Sequence, residues 1–175
     1  WLPSTRNIRP QRSWQVAAGL ATSVADGAVE LSLEGYYKGM DGLLSYKEGG
    51  GFLADLEGNW ESQVTQGIGN SYGLEALVQK KVGRTSGWIG YTLSWSNRQF
   101  DDLNSGEWFP FTYDRRHDLS VVLTQEFNDT WSGAVTWVYG TGRAVTLTES
   151  VFNGLEFGYP NAPAWEVPSD RNAYR

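Results

Sequence analysis

The chain has 175 residues, with 20 acidic against 14 basic side chains and a formal net charge of −6. That is room for one domain or a portion of a larger one, without the basic excess that tracks nucleic-acid phosphates. It has no cysteine, one histidine and one methionine, which excludes disulfides, thiolate metal sites and cysteine nucleophiles, and no metal or cofactor is expected.

Nine Trp, nine Tyr and 21 Gly lean toward β structure. No apolar run approaches the roughly 18 residues of a membrane-spanning helix. The first strand is predicted over 13–24, where Trp14, Val16, Ala18, Leu20, Thr22 and Val24 alternate with Ser13, Gln15, Ala17, Gly19, Ala21 and Ser23, the period of two that marks a pleated sheet. After Ala25-Asp26-Gly27, a hairpin signal, a second strand is predicted over 28–40. Val29, Leu31, Leu33, Gly35 and Tyr37 share one face, and Glu30, Ser32, Glu34, Tyr36 and Lys38 the other. A third strand over 70–82 carries Tyr72, Leu74, Ala76 and Val78. Gly83-Arg84-Thr85-Ser86 turns it into a fourth, with Ile89, Tyr91, Leu93 and Trp95. The third hairpin runs through Leu119, Val121, Leu123 and Phe127, turns at Asn128-Asp129 and returns through Trp131, Gly133, Val135, Trp137 and Tyr139.

Turns within hairpins are short, whereas the connections over 41–67, over 97–116 and from 141 to the end are long. Long structureless loops are uncommon in compact soluble domains. Tight turns at one end and long loops at the other match outer-membrane β-barrels, in which about ten tilted residues cross an apolar band roughly 25 Å tall. The fold expected is therefore all-β, an antiparallel transmembrane β-barrel of which residues 1–175 supply about six strands. Six strands are too few to close, so further strands are expected to complete it.

The depth at which an aromatic residue lies along a strand is independent of the alternation that marks the strand. On the apolar face, Trp14, Tyr37, Tyr72, Trp95 and Tyr139 gather near the long-loop end, where amphipathic rings favour the membrane–water interface. Phe127 and Trp131 form a sparser girdle at the short-turn end; Trp88 there has polar-face parity. A soluble sandwich core would also bury aromatic rings, but it has no reason to collect them at strand ends. Glu30, Glu34, Lys38, Glu75, Gln79, Arg98 and Glu126 fall on the polar face, which faces the lumen in a barrel and water in a sandwich.

No catalytic set is expected. His117 points with Leu119, whereas Asp118 points with Ser120, so the three polar residues cannot form a hydrolytic trio on one face. Asp114, Arg115, Arg116 and Asp118 read instead as an ion-pair network at the rim. Glu30 and Glu34 lie about 13 Å apart along a strand, beyond the reach of a two-carboxylate glycosidase. The run 67–73 lacks the spacing and following helix of a phosphate loop, and Asp101, Asp102 and Asn104 lack the twelve-residue calcium pattern. Among loop aromatics, Trp60, Trp108, Phe109, Phe111 and Tyr113 are the candidate ligand-binding rings, able to stack on a planar or sugar ligand. Phe152, Tyr159 and Trp165 belong to the same loop set, and self-packing of the loops is the competing account of all of them.

The ordered set Tyr72-Gly73-Leu74-Glu75-Ala76-Leu77-Val78-Gln79-Lys80-Lys81, Gly87-Trp88-Ile89-Gly90-Tyr91-Thr92-Leu93-Ser94, Phe109-Pro110, Tyr113-Asp114-Arg115-Arg116-His117-Asp118 and Trp137-Val138-Tyr139-Gly140-Thr141-Gly142 resembles the barrel of TonB-dependent receptors of the kind abundant in Bacteroidota outer membranes. Pro10-Gln11, Tyr36-Tyr37-Lys38 and Tyr46-Lys47-Glu48-Gly49 extend the resemblance over nearly the whole chain. It implies a barrel of about 22 strands filled by a plug domain not present in this stretch. The implied activity is outer-membrane transport of a scarce nutrient (siderophore, haem, vitamin or glycan), with no enzymatic step. The implied partners are TonB, reached through the plug, outer-membrane lipid and a small-molecule or glycan ligand, with room for a surface lipoprotein partner and none for nucleic acid. The rival class is a secreted, aromatic-rich all-β binding module directed at glycans, which would be a soluble monomer.

Overall fold

A computed structural model describes residues 4–48, 60–152 and 165–174. Nine strands are present among them: β1 (Arg12–Val24), β2 (Val29–Tyr46), β3 (Val64–Lys80), β4 (Thr85–Phe100), β5 (Phe109–Pro110), β6 (His117–Glu126), β7 (Ser132–Gly140), β8 (Thr148–Phe152) and β9 (Trp165–Pro168). The described residues hold no α-helix, only 3-10 turns at Trp60–Gln63 and Asn104–Gly106. The first seven strands form one antiparallel sheet in the order β1-β2-β3-β4-β6-β7, with β5 on β4; β8 and β9 make a separate two-stranded sheet. The large sheet is open, with β1 and β7 at its edges.

The register joins the alternating residues of every strand into two continuous faces. Leu20 pairs with Leu33, Leu33 with Ala76, Ala76 with Tyr91, Tyr91 with Leu119 and Leu119 with Tyr139. One row along, Thr22, Leu31, Val78, Ile89, Val121 and Trp137 follow the same ladder. Because side chains alternate strictly across a strand, the other face receives Gly19, Glu34, Glu75, Thr92, Asp118 and Gly140 in one line. The predicted face of every strand agrees with this register.

Strand ends differ from the prediction. β2 runs on to Tyr46 and β3 begins at Val64, so much of the expected 41–67 loop is paired sheet. The alternation hides this because the register skips at Asp41/Leu43. A bulge there inserts Gly42 at φ +67°, a left-handed conformation that glycine takes without strain. The extra residue reverses the phase and carries Leu43 onto the polar-face side, opposite Gly67. Gly67 also pairs with Phe100, and the Phe100 ring occupies the space a Cβ would fill.

Leu43, Phe100, Leu103 and Phe109, with Met40 against them, form the small buried core at the long-loop end. Phe109 is only 5% exposed. Its place among the ligand-facing rings is therefore corrected: pairing with Arg98 through β5 turns it into the core. The expected 97–116 loop likewise contains the end of β4 and all of β5. The region beyond 141, expected as loop, contains β8 and β9.

The hairpin turns also shift. Between β1 and β2, Ala28 N–H donates to Ala25 C=O at 3.0 Å, with Asp26 at φ +54° and Gly27 at +83°, the two positive values a type I′ turn requires. The β3–β4 turn lies at 81–84 rather than 83–86, and Lys80 Nζ crosses it to the carbonyls of Val82 and Thr85 at 2.9 and 2.7 Å. The β6–β7 turn spans 127–131, longer than the predicted Asn128-Asp129. Asn128 Oδ1 accepts from the N–H groups of Thr130 and Trp131 at 2.9 Å each, a side-chain turn that removes the need for a tight backbone reversal.

The segment after β7 folds back onto the β4–β5 turn. Asn172 donates to Pro110 C=O at 2.8 Å and to Thr112 Oγ1 at 3.3 Å, and its own N–H reaches Thr146 Oγ1 at 2.9 Å. Arg171 N–H donates to Asn104 Oδ1 at 2.9 Å. A bridge between Val145 and Tyr174 closes the segment on itself. The Tyr174 hydroxyl donates to Glu149 at 2.9 Å, and that carboxylate raises the phenol's pKa.

Candidate functional site

Three features of the sheet bear on function: its apolar face, the aromatic row along one end of that face, and the polar mouth at the long-loop end. None of the described residues covers the central rows of the apolar face. Leu20 is 82% exposed, Val16 61% and Val135 55%, and none of the buried hydrophobic residues lies in its central rows. Contiguous apolar surface on this scale is uncommon on a sheet that faces water.

Four of the expected aromatic residues pack side by side. Trp14 and Tyr37 have ring centroids 5.5 Å apart, Tyr37 and Tyr72 stack at 6.1 Å, and Tyr72 and Trp95 at 5.3 Å. These rings cross four strands without a break. Tyr139 is not in direct register with them: it lies in the row of Tyr91 and stacks on Trp137 at 6.2 Å. Relative to the hydrogen-bond ladder, the aromatic line slips toward the short turns by two residues from β1 to β2. It slips by none across β3 and β4, and by four more on reaching β7: six residues over five strand-to-strand steps. With ~3.3 Å per residue and ~4.8 Å between strands, the line is inclined to the ladder by about 40°. Phe127 and Trp131 flank the β6–β7 turn, 63% and 70% exposed, and Phe127 N–H donates to Trp131 C=O at 2.9 Å.

Two polar contacts on the apolar side went unnoticed in the sequence. His117 Nδ1 and the Tyr91 hydroxyl are 2.7 Å apart, on neighbouring strands, and the Arg116 guanidinium lies 4.4 Å over the Trp95 ring. The rim ion pairs take shape as Arg116–Asp114 and Arg115–Asp118, each at 3.2 Å. Asp114 also accepts from Ser96 N–H at 2.7 Å. His117, Asp118 and Ser120 pair with Leu93, Thr92 and Gly90 respectively, so His117 faces away from the other two.

The candidate ligand-binding rings separate. Trp60 is partly buried in its 3-10 turn, Trp108 is 45% exposed and Tyr113 66% exposed. Phe111 meets Tyr113 edge-on at 5.2 Å and carries the Arg98 guanidinium 3.4 Å over its ring. Phe109 stacks on Phe100 at 6.1 Å, with Arg171 over its ring at 5.4 Å. Phe152 and Trp165 fall in β8 and β9; Tyr159 lies outside the described residues.

None of the five rings lines the cavity of about 830 Å³ at the mouth, which is bounded by Tyr46, Asp101, Glu107, Thr146, Asp170 and Arg171 among others. Of the three residues weighed for calcium, Asp102 pairs with Lys47 at 3.6 Å and Asn104 is engaged by Arg171.

No family model, curated protein or solved structure matches this chain.

Proposed function

We propose that this sheet is part of an outer-membrane β-barrel that transports a scarce nutrient, of the TonB-dependent receptor type. The observation that carries the reading is the bare apolar face bordered by an inclined aromatic row. A hydrocarbon solvent accounts for both. Apolar side chains then need no protein layer over them, and amphipathic rings mark the water boundary. An incline of about 40° is the tilt at which strands cross a membrane in barrels of this class. The strands of 13 to 18 residues in β1–β4 exceed the five or six usual in soluble sheets, and reach beyond the ~25 Å apolar band into the loops.

On this reading the polar face lines the lumen, the short turns lie in the periplasm and the mouth faces outward. TonB would act through a plug domain, and a small-molecule or glycan ligand would enter at the mouth. The rival reading, a secreted glycan-directed module, has the exposed loop rings Trp108 and Tyr113 in its favour, but leaves the apolar face in water.

Extraction of the protein from cells decides between them. A barrel partitions with the outer membrane, needs detergent and migrates differently on gels before and after boiling; a module released into buffer as a monomer, without that gel shift, overturns the barrel.

A further inference from the structure

Four arginines at the long-loop end lie on aromatic rings: Arg98 on Phe111, Arg116 on Trp95, Arg143 on Tyr113 and Arg171 on Phe109. Their charges are not equally compensated. Arg116 has Asp114 at 3.2 Å, whereas among the described residues neither Arg98 nor Arg143 has a carboxylate within 4.0 Å. Carboxylates are not scarce here. Asp101, Asp102, Glu107 and Asp170 all border the adjoining mouth cavity.

Arg98 is partly buried on the polar face, between Gly69 and Phe109 of the neighbouring strands. Its Nε is buried without a hydrogen-bond partner. A cation taken partly out of water costs free energy unless an anion offsets it. The Phe111 face supplies a fraction of that compensation and no hydrogen-bond acceptor. From Arg98 the contacts continue through Phe111 and Tyr113 to Arg143: the Arg98 guanidinium lies 3.4 Å from the Phe111 centroid, the two rings meet edge-on at 5.2 Å, and the Arg143 guanidinium lies 5.5 Å from the Tyr113 centroid. Two guanidiniums thus bracket a pair of rings, the outer of which is the most exposed of the candidate loop rings.

We propose that Arg98, Phe111, Tyr113 and Arg143 form a binding site for a soluble anionic ligand, one that carries a carboxylate or phosphate on a ring-shaped body. A guanidinium presents paired N–H donors that match either anion, and the exposed Tyr113 face can stack a sugar or aromatic ring. The proposal rests on the reading of the polar face as the inner wall, because that places the site in the ligand's path rather than against lipid.

The test is calorimetric titration of the intact protein, purified in detergent from its own membrane, with glucose 6-phosphate and with glucose as probes. The phosphate form should bind and glucose should bind at least tenfold more weakly. Arg98→Gln should weaken glucose 6-phosphate at least tenfold and Arg143→Gln several-fold. Arg98→Lys should fall between, since it keeps the charge and loses the flat stack. Arg84→Gln, at the opposite end of the sheet, should bind as the native protein does. Equal binding of the two probes, or unchanged binding by Arg98→Gln that still shows the gel shift of a folded barrel, overturns the site while leaving the barrel standing. Competition by phosphatidylglycerol mixed into the micelles would assign the anion to lipid and also overturn it. Loss of the gel shift in the native protein speaks against the barrel alone, because anion binding is read separately.

Discussion

Single side chains separate the two faces most directly. Leu33 and Ser32 are adjacent in β2, yet the register sends Leu33 to the apolar face and Ser32 to the polar one. Arg at Leu33 should cost roughly 2–4 kcal/mol of folding into lipid vesicles, as a cation at a membrane midplane does, and Ser32→Arg much less. Equal losses in folding yield would contradict the face assignment. Gly67 tests the buried core on a different principle. A Cβ there would meet the Gln99 carbonyl and the Phe100 ring, so Gly67→Ala should destabilise by about 1–3 kcal/mol through overcrowding, measured as a lower unfolding temperature.

At the scale of elements, the bulge at Gly42 sets which way the end of β2 faces. Deleting Gly42 alone leaves Leu43 opposite Gly67, on the side of Phe100, and should keep the native protection from protease; deleting Asp41 and Gly42 together puts Leu43 directly after Met40, turns it away from Phe100 and Phe109, and should expose a protease site in the β4–β5 turn while leaving the lower strands paired. Protection of the double deletion equal to that of the native protein would contradict the phase assigned to the end of β2. The hairpin turns test topology. The chain has no cysteine, so an impermeant maleimide on intact cells should label Ser105→Cys, in the turn at the mouth, and leave Asp129→Cys, in the β6–β7 turn, unlabelled. The reverse pattern would invert the orientation.

For the whole molecule, the bare apolar face and the inclined aromatic row make one joint prediction about depth. Trp137 lies on the apolar face and Trp108 just before β5 at the mouth. In vesicles whose acyl chains carry bromine, a variant keeping only Trp137 should lose most of its fluorescence, and one keeping only Trp108 should lose little. Quenching of neither would place the sheet outside a bilayer, and comparable quenching of both would contradict the placing of the mouth in water.

Period-two alternation was enough to read the three hairpins and the two faces, because in a regular strand the face of a side chain depends only on its position along the chain. The aromatic residues were legible for the same reason, and their parity put Tyr37, Tyr72 and Trp95 on one face before any pairing was known. Pairing decided the rest. The slope of the aromatic row depends on how far each strand slides past its neighbour, which no single strand records. Leu43 escaped because one inserted residue reverses the phase, Phe109 because its burial depends on Phe100, Leu103 and a two-residue pairing with β4. The stack of Arg98 on Phe111 and of Tyr113 beneath Arg143 joins residues that share no local pattern. Such contacts arise only when the chain has folded back on itself, since what a loop side chain touches is set by tertiary approach rather than by the residues beside it.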